Sequence, residues 1–273
     1  VADAPAPERS LAQAVISALV LLGLIVFFNL LGPGGFFFLA AGVITVALFE
    51  LFDALKQTGH RPPMLVGLAG GVAMMSVAYL EKPALILAAL ALTLYAAFLL
   101  ALRSGRGPRA GSDVAWTMLG VTWIGGGGAA AVSILTFSED GALLLTAYIL
   151  ITALSDIGGY FAGTAFGKHK MAPSISPAKS WEGFAGGAIA CLLGGLLFGG
   201  MLFDLSLVEG LGLAVIPALL APVGDLVESL VKREIGIKDS GRLLPGHGGL
   251  LDRLDAIIFC APAAYLYLRF VVF

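Results

Sequence analysis

Nine stretches of this chain, residues 11–31, 34–52, 64–80, 83–102, 114–137, 141–163, 183–203, 207–230 and 255–272, are almost continuously apolar. A membrane-crossing helix needs roughly 20 mostly apolar residues, because the hydrocarbon core is about 30 Å thick and a helix rises about 1.5 Å per residue. Backbone polar groups in hydrocarbon must be satisfied within the segment, so runs of this length fold as helices. The expected fold is therefore all-α: a polytopic integral membrane helical bundle with about nine transmembrane helices. Only 12% of the residues are charged, about half the share of an ordinary soluble domain. Stretches 64–80 and 255–272 are short for a span. The connectors leave no room for a soluble domain, and no strand-rich segment or internal repeat is visible. The chain reads as a single membrane unit, with helices 1–5 in residues 1–137 and helices 6–9 with their connectors in residues 138–273. The first run is too long for a signal-peptide core and lacks a basic leader, so it reads as a retained helix. Cys191 and Cys260 lie inside apolar runs and read as small buried hydrophobes, without disulfide or metal spacing.

Glycine marks where helices should approach one another. Gly125 to Gly128 interrupts the fifth run, and Gly159, Gly163 and Gly167 recur every four residues. Small residues at this spacing let backbones pack closely in a membrane; a run of four glycines can also mark a kink, with packing the default explanation.

Orientation follows from the basic residues. With nine spans, the N-terminal tail and the connectors after spans 2, 4, 6 and 8 share one side. They hold Arg9, Lys56, Arg61, Arg103, Arg106, Arg109, Lys168, Lys170, Lys179, Lys232, Arg233, Lys238, Arg242 and Arg253, 14 of the 16 basic residues. Lys82 and Arg269 fall on the other side, with Glu81, Glu139, Asp140, Asp204 and Glu209. The positive-inside rule then places the N-terminus and the basic connectors in the cytoplasm.

The sequence changes character between residues 222 and 255. Asp225, Glu228, Ser229 and Lys232 recur at helical spacing and share one face of the eighth helix. A charged side chain at mid-membrane costs roughly 2.5–3.5 kcal/mol even on insertion scales, so this face should line a protein-walled polar cavity. A structural pairing of Asp225 with Lys232 leaves the rest of the cluster unexplained. In the connector that follows, Gly246, Gly248 and Gly249 flank His247 and allow close backbone approach to a ligand. Carboxylates at Asp225 and Asp252 suit a hard cation such as Mg²⁺. Lys232, Arg233, Lys238, Arg242 and Arg253 suit phosphate oxygens. Asp239 and Asp255 are weaker candidates, since pairing with Lys238 or Arg253 accounts for them. Carboxylates with a basic cluster at a membrane boundary point to phosphoryl or nucleotidyl transfer.

Residues 229–255 resemble the signature of the phosphatidate cytidylyltransferases, which runs from Ser229 through Lys232-Arg233, Lys238-Asp239, His247-Gly248-Gly249 and Asp252-Arg253 to Asp255, and they meet it at every position. A second segment is similar to the same family: Ser155-Asp156 with Tyr160 one turn on, then Ser176-Pro177-Ala178-Lys179-Ser180-Trp181-Glu182-Gly183. Gly159 stands where the family more often has Ala. The resemblance covers roughly residues 155–255; the earlier spans are similar only in being apolar. It implies a Mg²⁺-dependent enzyme that joins CTP to phosphatidate and releases pyrophosphate, the number of cations being left open. Asp225 and Asp252 are the implied metal ligands. Asp225, Ser229, Lys232, Lys238, Asp239, His247, Asp252 and Arg253 form the implied catalytic set. Asp156, Tyr160, Ser176, Lys179, Ser180, Trp181, Glu182, Arg233, Arg242, Gly248, Gly249 and Asp255 are the implied substrate-binding residues. Lys168 and Lys170 also read as an orienting basic loop near anionic lipid, and Trp181 equally as an interfacial anchor. Expected partners are CTP, phosphatidate and membrane lipids, with no nucleic acid and with a homodimer left open. The expected location is the bacterial cytoplasmic membrane, the site facing the cytoplasm. The alternatives are another CTP-using membrane enzyme, namely a polyprenol or phytol kinase or an ether-lipid cytidylyltransferase, and an ion-coupled transporter. The last lacks the inverted repeats and paired broken helices that transporters show.

Overall fold

The computed structural model describes residues 11–105, 107, 109–200, 205–237, 240–241 and 249–273. Among these, nine helices correspond one to one with the nine apolar stretches: α1 (Leu11–Leu30), α2 (Gly32–Gln57), α3 (Met64–Tyr79), α4 (Pro83–Arg103), α5 (Arg109–Ile134), α6 (Gly141–Phe166), α7 (Trp181–Gly199), α8 (Leu207–Glu234) and α9 (Leu251–Val272). Seven of them, α2 and α4 to α9, are long and apolar enough to cross a membrane. The chain is an all-helical integral membrane bundle. With 16 residues, α3 reaches only about 24 Å. It packs against α2, α4 and α5. In contrast, α9 starts at Leu251 and has 22 residues, so it is not short. Its polar first turn, which holds Asp252 and Arg253, is helical because it faces a charged cavity rather than lipid.

Local chemistry explains the helix boundaries nearest the site. The N-terminus of α8 carries a capping box, in which Ser206 Oγ accepts Glu209 N at 3.3 Å and Glu209 Oε2 accepts Ser206 N at 2.7 Å. Pro217 and Pro222 lie inside α8 without ending it. Neighbouring helices and side chains can take up the carbonyls that a proline frees inside a bundle. Lys232 and Arg233 occupy the last turn of α8, where cations complement the helix dipole.

The glycines do mark close contacts. A Cβ on Gly125 would stand 3.1 Å from Gly71 Cα in α3, and one on Gly128 would stand 2.9 Å from Ile44 in α2. The glycine run therefore serves contact, beside a π-helical turn at Val121–Gly125. The tightest pairing near the site is α6 with α7. A Cβ on Gly187 would fall 2.6 Å from Ser155 O, one on Gly186 2.8 Å from Gly158 O, and one on Gly183 2.9 Å from Gly159 O. Gly163 faces Gly183 and Ser180 across the same seam. Cys191 and Cys260 are free and buried.

One element has no counterpart in the sequence reading. The α6–α7 connector folds into a two-stranded antiparallel ribbon, β1 (Lys170–Ala172) with β2 (Ser176–Ser180), pairing Lys170 with Ser180 and Ala172 with Ser176. Pro173 and Ser174 lie in the turn between them, where both residue types are favoured. Strands of three and five residues are too short for an alternating pattern to register.

Candidate functional site

The site is assembled from α6, the β ribbon, α8 and the first turn of α9. Ser180 ends β2 and caps α7, its Oγ accepting Gly183 N at 3.2 Å. Glu182 folds back on the ribbon: its carboxylate accepts Lys168 N at 3.2 Å and lies 2.6 Å from His169 Nδ1. These contacts fix the ribbon against α7, and the glycine seam fixes α7 against α6. Lys179 is thereby carried to α8, where it forms an ion pair with Asp225.

On α8 the helical spacing places the polar residues as expected. Glu228 is 2% exposed. Its Oε2 accepts Lys232 Nζ at 2.8 Å, and Ser229 Oγ lies 3.5 Å from Asp225 Oδ1. Lys232 pairs with Glu228 and not with Asp225. Its second partner is Asp252 Oδ1 at 3.0 Å. Asp252 is also a local anchor: Oδ2 accepts Gly249 N at 2.8 Å, and Oδ1 accepts both Ser240 N at 3.4 Å and Ser240 Oγ. Ser240 Oγ lies 3.3 Å from Glu228 Oε1 as well.

Asp225, Glu228, Lys232 and Asp252 border a cavity of about 840 Å³. Asp156, Tyr160, Lys179, Ser180, Asp225, Lys232, Asp252, Arg253 and Asp255, all singled out in the sequence, line it together with Glu228. Ser229, Ser176, Trp181, Glu182, Arg233 and Gly249 do not. Ser176 sits in the ribbon opposite Ala172. Trp181 is exposed and edge-on to Phe184 at 5.8 Å, which suits its reading as an interfacial residue. Glu182 positions the ribbon, Arg233 points outward from the end of α8, and Gly249 donates to Asp252. Lys238, Asp239, Arg242, His247 and Gly248, like Arg9, Arg106 and Asp204 of the orientation argument, lie outside the described residues.

The carboxylates are grouped differently from the sequence pairing of Asp225 with Asp252. Asp225, Glu228 and Asp255 each place a carboxylate oxygen within 4.8 Å of the other two. Asp255 is buried, at 5% exposed. Asp252 is engaged by Lys232, Ser240 and Gly249. An all-oxygen triad fits a hard cation. Charge points the same way. Five carboxylates (Asp156, Asp225, Glu228, Asp252 and Asp255) and four basic residues (Lys170, Lys179, Lys232 and Arg253) stand in the described lining, so the described part of the lining carries no surplus positive charge for a polyphosphate.

Two acidic residues at the site carry sequence signals outside the motif assignments. Glu228 shares its helical face with Asp225 and Lys232. Glu50 is a lone acid inside the apolar run of α2, which is itself a signal.

Fold and site together define a polytopic helical membrane protein with an acid- and base-lined cavity suited to phosphate chemistry. Residues 12–271 match the profile described as the cytidylyltransferase family. Full-length similarity agrees. The chain is 33% identical to a phosphatidate cytidylyltransferase of Mycobacterium leprae, covering 97% of this chain and 90% of that protein. It is 34% identical to the enzyme of the same name in Mycobacterium bovis, over 97% and 92%, and 35% identical to that of Brucella suis, over 94% and 93%. The chain belongs to the cytidylyltransferase family.

Proposed function

We propose that this protein transfers the cytidylyl group of CTP to phosphatidate, forming CDP-diacylglycerol and pyrophosphate in phospholipid biosynthesis. The observation that carries the reading is the convergence of two separate motif segments, one carrying Lys179 and the other Lys232, Asp252 and Asp255, on one charge-lined cavity at the end of α8. The names of the full-length relatives agree with it. A phosphate monoester has a second pKa of about 6, so phosphatidate is mostly dianionic at neutral pH and needs no protein nucleophile. Its phosphate oxygen attacks the α-phosphorus of CTP, and the bond to the β-phosphate oxygen breaks, with its electron pair leaving on pyrophosphate. The task left to the protein is to bring two polyanions together. Lys179, Lys232 and Arg253 attract and orient phosphate oxygens. Asp225, Glu228 and Asp255 would hold Mg²⁺, which when bound supplies positive charge that offsets the two polyanions. Asp252 keeps Lys232 and the start of α9 in place. Tyr160 and Asp156 of α6 line the same cavity. The basic ends of the helices favour a cytoplasmic site, where CTP is available, in a bacterial inner membrane.

Doubly labelled CTP tests the reading with purified protein and phosphatidate. Cytosine-ring label should extract with lipid, and γ-phosphate label should stay aqueous as pyrophosphate. Entry of γ-label into lipid, with the ring label remaining in CDP, would replace the proposal with lipid phosphorylation.

A further inference from the structure

We propose that Glu50, from the N-terminal half of the chain, is a positioning residue for the reaction site, holding the start of α9 and hence Asp252 in place against α8. The inference rests on the nucleotidyl-transfer reading above. Glu50 is 5% exposed and sits in α2 among Ala47, Leu48, Leu51 and Phe52, all buried. The described ion pairs do not include it. An acid in such a setting persists only where something compensates it. The compensation comes from 201 positions away: Glu50 Oε2 accepts Leu251 N at 2.9 Å. The N-cap position of α9 is Leu250, which offers no side-chain acceptor. Glu50 therefore does for α9 what a local Ser or Asp does for most helices, and its carboxylate also meets the positive end of the helix dipole.

The fit around this carboxylate is close. A Cβ on Gly249 would lie 2.8 Å from Glu50 Oε2, and one on Gly241 would lie 2.6 Å from Glu50 Cδ. Two glycines, on either side of residues 242–248, thus abut the same carboxyl group. Its other oxygen, Oε1, is buried and has no hydrogen-bond partner among the described residues. From Leu251 the contact passes directly to the site. The next residue is Asp252, which accepts Gly249 N through Oδ2 and holds Lys232 through Oδ1. Removing the Glu50 acceptor frees the first turn of α9 and loosens the Asp252–Lys232 contact without touching any cavity-lining residue.

The test uses full-length protein with Glu50→Ala, Glu50→Gln and a packing control, Leu48→Ala, whose side chain faces Gly71 on α3. Hydrogen exchange at Leu251 and the cytidylyl-transfer rate are both read. Glu50→Ala should speed exchange at Leu251 at least tenfold and lower kcat at least tenfold, with a smaller change in KM for CTP. Glu50→Gln, whose amide oxygen can still accept the Leu251 N–H, should stay within threefold on both. Leu48→Ala should lower thermal stability without either change. If Glu50→Ala fails to fold, Glu50→Asp carries the same expectation, because it keeps the charge but withdraws the acceptor by one methylene. Unchanged exchange at Leu251, near-normal kcat despite faster exchange, or an equal loss in Glu50→Gln or in the control would each overturn the proposal. Absence of cytidylyl transfer in the unmodified protein would instead remove the functional reading, while the exchange arm would still report on the Glu50 contact.

Discussion

Lys232→Met removes a cation that two carboxylates, buried Glu228 and half-buried Asp252, share. Lys232 Nζ lies 2.8 Å from Glu228 Oε2 and 3.0 Å from Asp252 Oδ1. The side chains are 16%, 3% and 12% exposed, so water screens them little. With an effective dielectric of about 20, each attraction is worth about 5–6 kcal/mol before the opposing cost of desolvation. Removing one partner of such a group typically costs about 3–5 kcal/mol. The carboxylate oxygens left behind are no more than about 6 Å apart, and if both stay ionised they repel by about 3 kcal/mol. Lys232 also offers a charge-assisted contact to a transferring phosphate, and losing up to about 3 kcal/mol of it from the transition state is a rate reduction of roughly 100-fold. Lys232→Met should therefore lower both thermal stability and cytidylyl transfer, the latter by up to about 100-fold. Glu228→Gln combined with Lys232→Met tests the repulsion. Neutralising one carboxylate should restore much of the stability, while activity stays low because the phosphate-facing cation and a proposed cation ligand are both missing. Activity of Lys232→Met within threefold of the unmodified protein would refute the argument. So would recovery of activity along with stability in the double variant, since Lys232 would then be only a structural counter-ion.

Asp225→Asn and Asp255→Asn should each reduce turnover by about 100-fold or more and raise the Mg²⁺ concentration needed, because each removes a charge from the proposed cation site. Asp252→Asn should be as damaging but unresponsive to added Mg²⁺, and recovery at high Mg²⁺ would return Asp252 to the cation site. Lys179→Ala should raise the CTP requirement more than the phosphatidate requirement, whereas Lys168→Ala should do less, since a basic loop residue near lipid contributes only about 1 kcal/mol; an effect of Lys179→Ala confined to phosphatidate would move the ribbon to the lipid side of the cavity. Single cysteines at Gly105 and at Ser138 should label from opposite faces of the membrane, and labelling from the same face would remove the nine-span topology.

Much of this protein was legible along the chain because the information is local. Apolar run length alone gave nine helices in their right places, since a bilayer leaves the backbone almost no other way to satisfy its hydrogen bonds. Helical periodicity alone put Asp225, Glu228, Ser229 and Lys232 on one face, because 3.6 residues per turn is independent of context. The choice of partners depended on which helices pack against which, and there the tertiary structure decided. Lys179 reaches Asp225 only because the glycines of α6 and α7 bring their backbones together and a short ribbon turns the connector back. Asp255 joins Asp225 and Glu228, while Asp252 turns to Lys232, because the first turn of α9 starts earlier and is oriented differently than its apolar run suggests. Glu50 meets Leu251 across 201 residues, a pairing that no periodicity records. Contact between segments so far apart depends on the sum of many weak packing choices across the bundle, and only the folded chain expresses that sum.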